Sequence, residues 1–264
     1  MAKKKKIEAL VMSQKMLADG ILDMWIATPL AEHARPGQFI GIYPIDQTKL
    51  LPRPISICEI SAEKDAMRLV YRISGKGTAE FALYQQGQHV QIIGILGDNG
   101  FPVEEADGKK VLIMGGGIGV PPLLELSKQI NSKGNAKSID IVMGYRNSDT
   151  FLGEDFKQYG QLHIATEDGS VGTKGNVLDA VREEMIEADI IYACGPMPML
   201  RAIKAYAAEK DIKAFISLEE RMACGVGACL GCVCKTTKKD EHSHVNNARI
   251  CTDGPVFDAL DVEI

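Results

Sequence analysis

Cys224, Cys229 and Cys232 are separated by four and two residues, and Cys251 follows after eighteen more. Four thiolates in a Cys-x4-Cys-x2-Cys…Cys layout suit a [2Fe–2S] centre of the plant type, which carries one electron at a time. Between the cysteines stand Gly225, Gly227, Ala228 and Gly231. Such a loop can turn sharply and aim its amides at sulfur, where bulky side chains would obstruct. Structural zinc also takes four thiolates, but usually as closely spaced pairs, and a glycine-rich gap of four is unusual for it. Cys234 reads as a small hydrophobe beside the third ligand, and Cys58, on a strand pattern, reads as core. His163, His242 and His244 show no ligand spacing with a second group, which argues against Rieske-type ligation.

A second set of residues could hold a nucleotide. Gly115, Gly116, Gly117 and Gly119 close an apolar run and open a helical one at Pro121, so that amides and a helix N-terminus can face a diphosphate. The spacing is not Gly-x-Gly-x-x-Gly, and a tight turn without ligand is the plain alternative. Cys194-Gly195-Pro196-Met197 also ends a strand pattern and precedes a helical one, at the edge where open α/β sheets bind ligands. Cys194 by itself reads as a buried small residue. No acidic residue is clearly placed for a ribose 2′-hydroxyl, and Arg146 could meet a 2′-phosphate, so the residues leave NADH and NADPH both open.

The elements that must position these residues fall into three segments. Residues 1–102 show short apolar runs broken by turns, at Ile7–Met12, Ile21–Ala27, Gln38–Tyr43, Ile55–Ile60, Met67–Ile73 and His89–Ile95, the rhythm of an antiparallel barrel or sandwich. A short helix is expected at 77–83. Across 103–218, strands at Lys110–Met114, Ser138–Met143, Gln161–Thr166, Asp189–Ala193 and Ala214–Leu218 alternate with helical stretches, predicting a parallel α/β sheet. In 219–264 glycine and cysteine replace regular periodicity, as expected of a small cluster-binding domain. The 264 residues, 25% of them charged with a net charge of −5, give no reason to expect nucleic acid. The basic start at Lys3–Lys6 precedes no secretory apolar core, and no window is long enough to span a bilayer. With four of seven cysteines inside 224–234, the distribution suits a cluster in a reducing, cytoplasmic setting.

Arg53-Pro54-Ile55-Ser56 resembles the Arg-x-Tyr-Ser/Thr flavin motif of the ferredoxin reductase superfamily, and Gly75-Lys76-Gly77-Thr78 resembles its partner glycine turn. Followed by the two nucleotide loops, by Ser217-Leu218-Glu219-Glu220-Arg221-Met222 and by the cysteines, the whole closely resembles the electron-transfer subunit of B-type dihydroorotate dehydrogenase. The resemblance covers nearly the whole chain. It implies FAD contacts at Arg53, Pro54, Ile55 and Ser56, at Val70, Tyr71 and Arg72, and at Gly77 and Thr78. Ile55 stands where the superfamily has an aromatic residue, and Tyr71 is the candidate to stack on the ring instead. It further implies a partner, an FMN-containing dihydroorotate dehydrogenase catalytic subunit of pyrimidine biosynthesis, assembled as two of each subunit.

NADH gives up two electrons as a hydride and the cluster takes one, so a flavin is the expected go-between. No nucleophile–base triad or paired carboxylate stands out, and the site residues are expected to be cofactor binders. Two other readings are weighed: a subunit of another flavin/iron–sulfur oxidoreductase, of sulfide dehydrogenase or ferredoxin:NADP+ reductase type, and a zinc-stabilised nucleotide sensor.

Overall fold

The computed structural model describes residues 4–46, 48–239 and 244–264; His242 and the first lysine of the basic start lie outside them. Strands β1 (Lys5–Ala18), β2 (Ile21–Ala27), β3 (Phe39–Ile42), β4 (Arg53–Ile60), β5 (Ala66–Arg72) and β6 (His89–Leu96) close into an antiparallel barrel, ordered β1-β2-β5-β4-β3-β6. Their alternation decides which side chains go inward: Val11, Met24, Ile40, Ile57, Leu69 and Ile92 fill the interior. Each such side chain contributes about 1.5–3 kcal/mol on burial. β1 is more than twice the length of the apolar run that announces it, because register shifts at Val11/Ser13 and Met16/Ala18 let it bend along two neighbours. Helix α1 (Lys76–Phe81) packs Phe81 against the barrel core.

β7 (Lys110–Gly116), α2 (Pro122–Lys133), β8 (Ser138–Tyr145), α3 (Gly153–Phe156), β9 (Gln161–Thr166), β10 (Thr173–Lys174), α4 (Val177–Glu183), β11 (Ile190–Cys194), α5 (Met197–Lys210) and β12 (Lys213–Ser217) build the second unit. Its parallel strands run β10-β9-β8-β7-β11-β12, with β7 and β11 adjacent at the point where the strand order reverses. Gly134, at φ 68°, ends α2 in the left-handed conformation that spares a Cβ clash.

The sheet departs from the all-parallel expectation. β15 (Val256–Asp258) pairs antiparallel with β12, through Ser217 opposite Val256, so the chain's last segment returns to complete the nucleotide sheet. That segment also forms a small sheet of β13 (Val233–Thr236), β14 (Asn247–Arg249) and β16 (Val262–Glu263), ordered β14-β13-β16. Strands of two to four residues carry too little alternation to be read locally. The apolar cores cross the segment boundaries. Ile21, Cys58 and Val70 on the outside of the barrel share a core with Val111, Leu123 and Tyr192. Phe39 and Leu96 share another with Met114, Ile250 and Cys251.

Candidate cofactor sites

Arg53 opens β4 and lies half-buried, its guanidinium donating to the Leu51 carbonyl. A Cβ on Gly77 would come within 2.5 Å of Arg53 Nε, so the first turn of α1 and the arginine are in contact only because residue 77 has no side chain. Thr78, buried, accepts from the Ser74 and Gly75 amides at 2.9 and 3.2 Å and donates to the Gly75 carbonyl at 3.1 Å. Its hydroxyl is therefore spent on closing the turn. The first amides of α1 have no intrahelical partner and stand beside Arg53. A cationic fork next to unpaired N–H groups is a fit for a diphosphate.

Half-buried Ser56 pairs with Phe39 in the ladder, half-buried Pro54 pairs with Gly41, and Ile55 turns its side chain into the barrel core. Tyr71 does the same. It is 2% exposed, meets Phe81 edge-on at 6.1 Å between centroids, and donates its hydroxyl to Gln14 Oε1 at 2.7 Å. Burial raises that phenol's pKa. The ring thus packs into the barrel core, because strand alternation sends the odd residues Met67, Leu69 and Tyr71 inward. Val70 faces the nucleotide unit, and exposed Arg72 reaches to 3.8 Å from where a Cβ of Gly117 would stand. The flavin motif and the glycine turn are therefore neighbours.

Cys194 and Gly115 are ladder partners, so the two nucleotide loops leave the sheet side by side. They touch backbone to backbone. A Cβ on Gly119 would lie 2.5 Å from the Cys194 carbonyl oxygen, one on Gly116 2.6 Å from Met199 Sδ, and one on Gly115 2.5 Å from Met143 Sδ. Gly117, at φ 54°, starts the turn that leads to α2. A Cβ on Gly195 would meet the Met199 side chain, and Pro196 is exposed at the start of α5. This carboxyl-edge crevice, at the reversal of strand order, is where open α/β sheets bind nucleotides. Burial pushes the Cys194 thiol up to about 12, against the pull of the Ser217 hydroxyl, which leaves it protonated and unreactive. Arg146 is exposed just past β8, and His163 is bound to Asp140 at 3.2 Å, a structural pair.

Cys224 and Cys229 sit on the open side of the cysteine loop, Cys232 and Cys251 on the buried side. The Val226 and Cys229 amides each donate to Cys224 Sγ at 3.4 Å, and the Gly231 amide to Cys229 Sγ at 3.4 Å. Burial pushes the Cys224 thiol up, but amides of Val226, Cys229 and Ala228 with the Cys229 thiol outweigh it and bring it down to about 6. Burial and the adjacent Cys232 push Cys251 up to about 12. Gly225 and Gly227, at φ 69° and 82°, make this amide-lined turn possible. Among the described residues no three histidine, cysteine or carboxylate side chains converge on a single ion position. Amide donors to sulfur along a Cys-x4-Cys-x2-Cys loop suit a two-iron cluster better than structural zinc, whose cysteines usually come as closely spaced pairs. Cys234 is half-buried on β13 against the apolar core, and Cys58 is fully buried.

Sequence patterns miss what docks the cluster loop to the barrel. The Gly97 amide donates to the Cys251 carbonyl at 3.0 Å, Asp98 to Thr252 at 3.0 Å and Asn99 to Gly254 at 3.0 Å. Arg249 grips Asp253 with two bonds of 3.0 Å and closes the turn that carries Cys251. The barrel and loop partners lie some 150 residues apart in sequence (Asn99 Nδ2 also donates to the Asp253 carbonyl, 154 residues on), so no local signal could reveal them.

Comparisons with known proteins agree with this geometry. Residues 219–263 match the iron–sulfur cluster binding domain of dihydroorotate dehydrogenase B, and residues 113–205 match the oxidoreductase NAD-binding domain. The dihydroorotate dehydrogenase B (NAD(+)) electron transfer subunit of Lysinibacillus sphaericus is 43% identical over 250 residues, 94% of each chain. Its counterpart in Bacillus velezensis is 40% identical over 264 residues, covering 98% of this chain and all of that one. Among solved structures, an NADH-dependent reduced ferredoxin-NADP oxidoreductase studied for flavin-based electron bifurcation superposes with a TM-score of 0.83 at 27% identity, over 97% of this chain and 89% of that one. A ferredoxin NADP+ reductase from Neisseria gonorrhoeae with bound FAD and NADP shares the fold alone, with a TM-score of 0.64 at 16% identity over 79% of this chain and 92% of that one.

Proposed function

The chain belongs to the family of dihydroorotate dehydrogenase B (NAD(+)) electron transfer subunits, and we propose that it oxidises NADH and delivers the electrons to the FMN of a dihydroorotate dehydrogenase catalytic subunit in pyrimidine biosynthesis. It is an oxidoreductase component built for FAD, NADH and a [2Fe–2S] cluster. When bound, FAD supplies the change from two-electron to one-electron transfer, and the cluster carries single electrons toward the partner. Among the described residues no helix is long and apolar enough to cross a membrane. The working complex is two catalytic and two electron-transfer subunits, and its place is the cytoplasm.

The chain's own residues bind, orient and exclude. Arg53 and the α1 amides hold the FAD diphosphate, with Gly77 keeping helix and arginine in contact. Ser56, Pro54, Ile55 and the β5 segment Val70–Arg72 bound the flavin through their backbone and through Arg72. Gly115–Gly119 and Cys194–Pro196 let NADH lie against bare backbone. The neutral Cys194 thiol takes no proton, as hydride transfer requires none. Cys224, Cys229, Cys232 and Cys251 hold the cluster.

The observation that carries this reading is the backbone pairing of Cys251–Gly254 with Gly97–Asn99, which fastens a cluster ligand to the exit of the flavin barrel. A relay needs that closeness, and a separate zinc module does not. The test is anaerobic purification with the natural partner, followed by flavin and metal analysis and an NADH-dependent orotate assay. The expected result is about one FAD and two irons per chain, with orotate turned over. A colourless, zinc-bearing chain, or one that reduces ferredoxin with NADPH and leaves orotate untouched, would overturn it.

A further inference from the structure

β4 carries Arg53–Ser56 at one end, and at the other end it meets α2, the helix that follows the glycine turn. Both backbone groups of Ile60, the last residue of β4, are taken by one turn of that helix. Glu125 Oε2 accepts from the Ile60 amide at 2.9 Å, and Lys128 Nζ donates to the Ile60 carbonyl at 2.8 Å and to Glu59 Oε1 at 3.1 Å. Gln129 Nε2 donates to the other Glu125 oxygen at 2.8 Å and holds the carboxylate in place. Glu125 is only 4% exposed, and it lies in neither cofactor motif. Behind the junction Arg68 grips Asp23 with two bonds of 3.0 Å and reaches Glu59 at 3.3 Å and Asp155 of α3 at 2.6 Å. A buried, fully bonded charge network is costly to build and specifies one arrangement of what it joins.

We propose that Glu125 is a positioning residue for hydride transfer: by holding the Ile60 amide it fixes where the glycine turn of the nucleotide unit stands relative to the flavin end of β4. The inference rests on the reading that FAD binds at Arg53–Ser56 and NADH at Gly115–Gly119. Four strand residues, about 13 Å at strand rise, separate Ile60 from Ser56. Six residues, about 9 Å at helical rise, separate Glu125 from Gly119. β4 stays paired with β3 and β5 across a register shift between Ile57 and Glu59, and Val120 and Pro121 run in helical conformation straight into α2, so a shift at the junction passes to both sites. Hydride transfer, in which NADH becomes NAD+ and its hydrogen and electron pair go to bound flavin, needs the reacting atoms about 3–3.5 Å apart, and a displacement near 1 Å costs on the order of 10²-fold. An anchor that only stabilised the fold would alter melting and leave the transfer rate alone.

The test is rapid mixing of NADH with anaerobic holoprotein, following loss of flavin absorbance as NADH concentration is varied. Glu125→Leu is expected to lower the limiting rate on the order of 10²-fold, with half-saturating NADH, FAD content and iron content unchanged. Glu125→Gln keeps an oxygen acceptor for the Ile60 amide and is expected to bleach close to the unmodified rate. Lys128→Met, which frees the Ile60 carbonyl, is expected to slow bleaching as well, and it serves if Glu125→Leu does not fold. An unmodified limiting rate in either Glu125→Leu or Lys128→Met, or a change confined to half-saturation, would overturn the inference. Unmodified protein whose flavin NADH fails to bleach would overturn instead the functional reading beneath it.

Discussion

Gly119 shows how little freedom the site leaves a single residue. Adding a methyl there places carbon 2.5 Å from the Cys194 carbonyl oxygen, and backbone cannot turn aside as a flexible side chain could. Gly119→Ala is expected to cost about 1–3 kcal/mol of stability and to weaken NADH binding, read by melting temperature and by NADH titration of the flavin absorbance; an unchanged titration would mean the cofactor lies elsewhere. Arg53 is argued on charge. Its loss removes a cationic donor from the FAD diphosphate, so Arg53→Ala should weaken FAD by about 1.5–3 kcal/mol, measured by flavin fluorescence on release, and equal affinity would remove Arg53 from the site. At this scale the cysteine spacing and the glycine runs were legible because their chemistry depends on local sequence. Tyr71 was not, because its direction depends on strand parity and on Gln14, 57 residues away.

Among the elements, β4 and α2 carry the most consequence, since their junction at Ile60, Glu125 and Lys128 links both cofactor motifs. Burial raises the Glu125 carboxyl above the ordinary glutamate range, against the pull of Gln129, the Ile60 amide and Lys128. A raised native pKa means that the folded state holds its proton longer than the unfolded chain. The stability so contributed is full below the unfolded value and is lost as pH rises through the native one. Relative to Glu125→Gln, the unmodified protein should therefore lose melting temperature as pH climbs through that window; a difference that stays flat with pH would contradict the assignment. The barrel strands and the β–α alternation were readable from apolar runs of period two and from glycine turns. The short strands β13 to β16 were not, because two to four residues show no period and their pairing is decided by residues far away in the chain.

At the scale of the whole molecule, the chain's end is what joins three units into one relay. β15 completes the nucleotide sheet and Cys251–Gly254 binds the barrel exit, so the cluster loop cannot be moved without disturbing both. No stretch of sequence announces that closure, which comes from long-range pairing alone. The exposed side of the loop carries Cys229, with Val226 and Leu230 beside it. The central claim is that electrons leave the flavin by way of these cysteines. The direct measurement is Cys229→Ser in the complete complex, comparing NADH-driven loss of flavin absorbance with NADH-driven reduction of the partner. The account predicts that the flavin still bleaches while reduction of the partner falls away; partner reduction at the unmodified rate would contradict it.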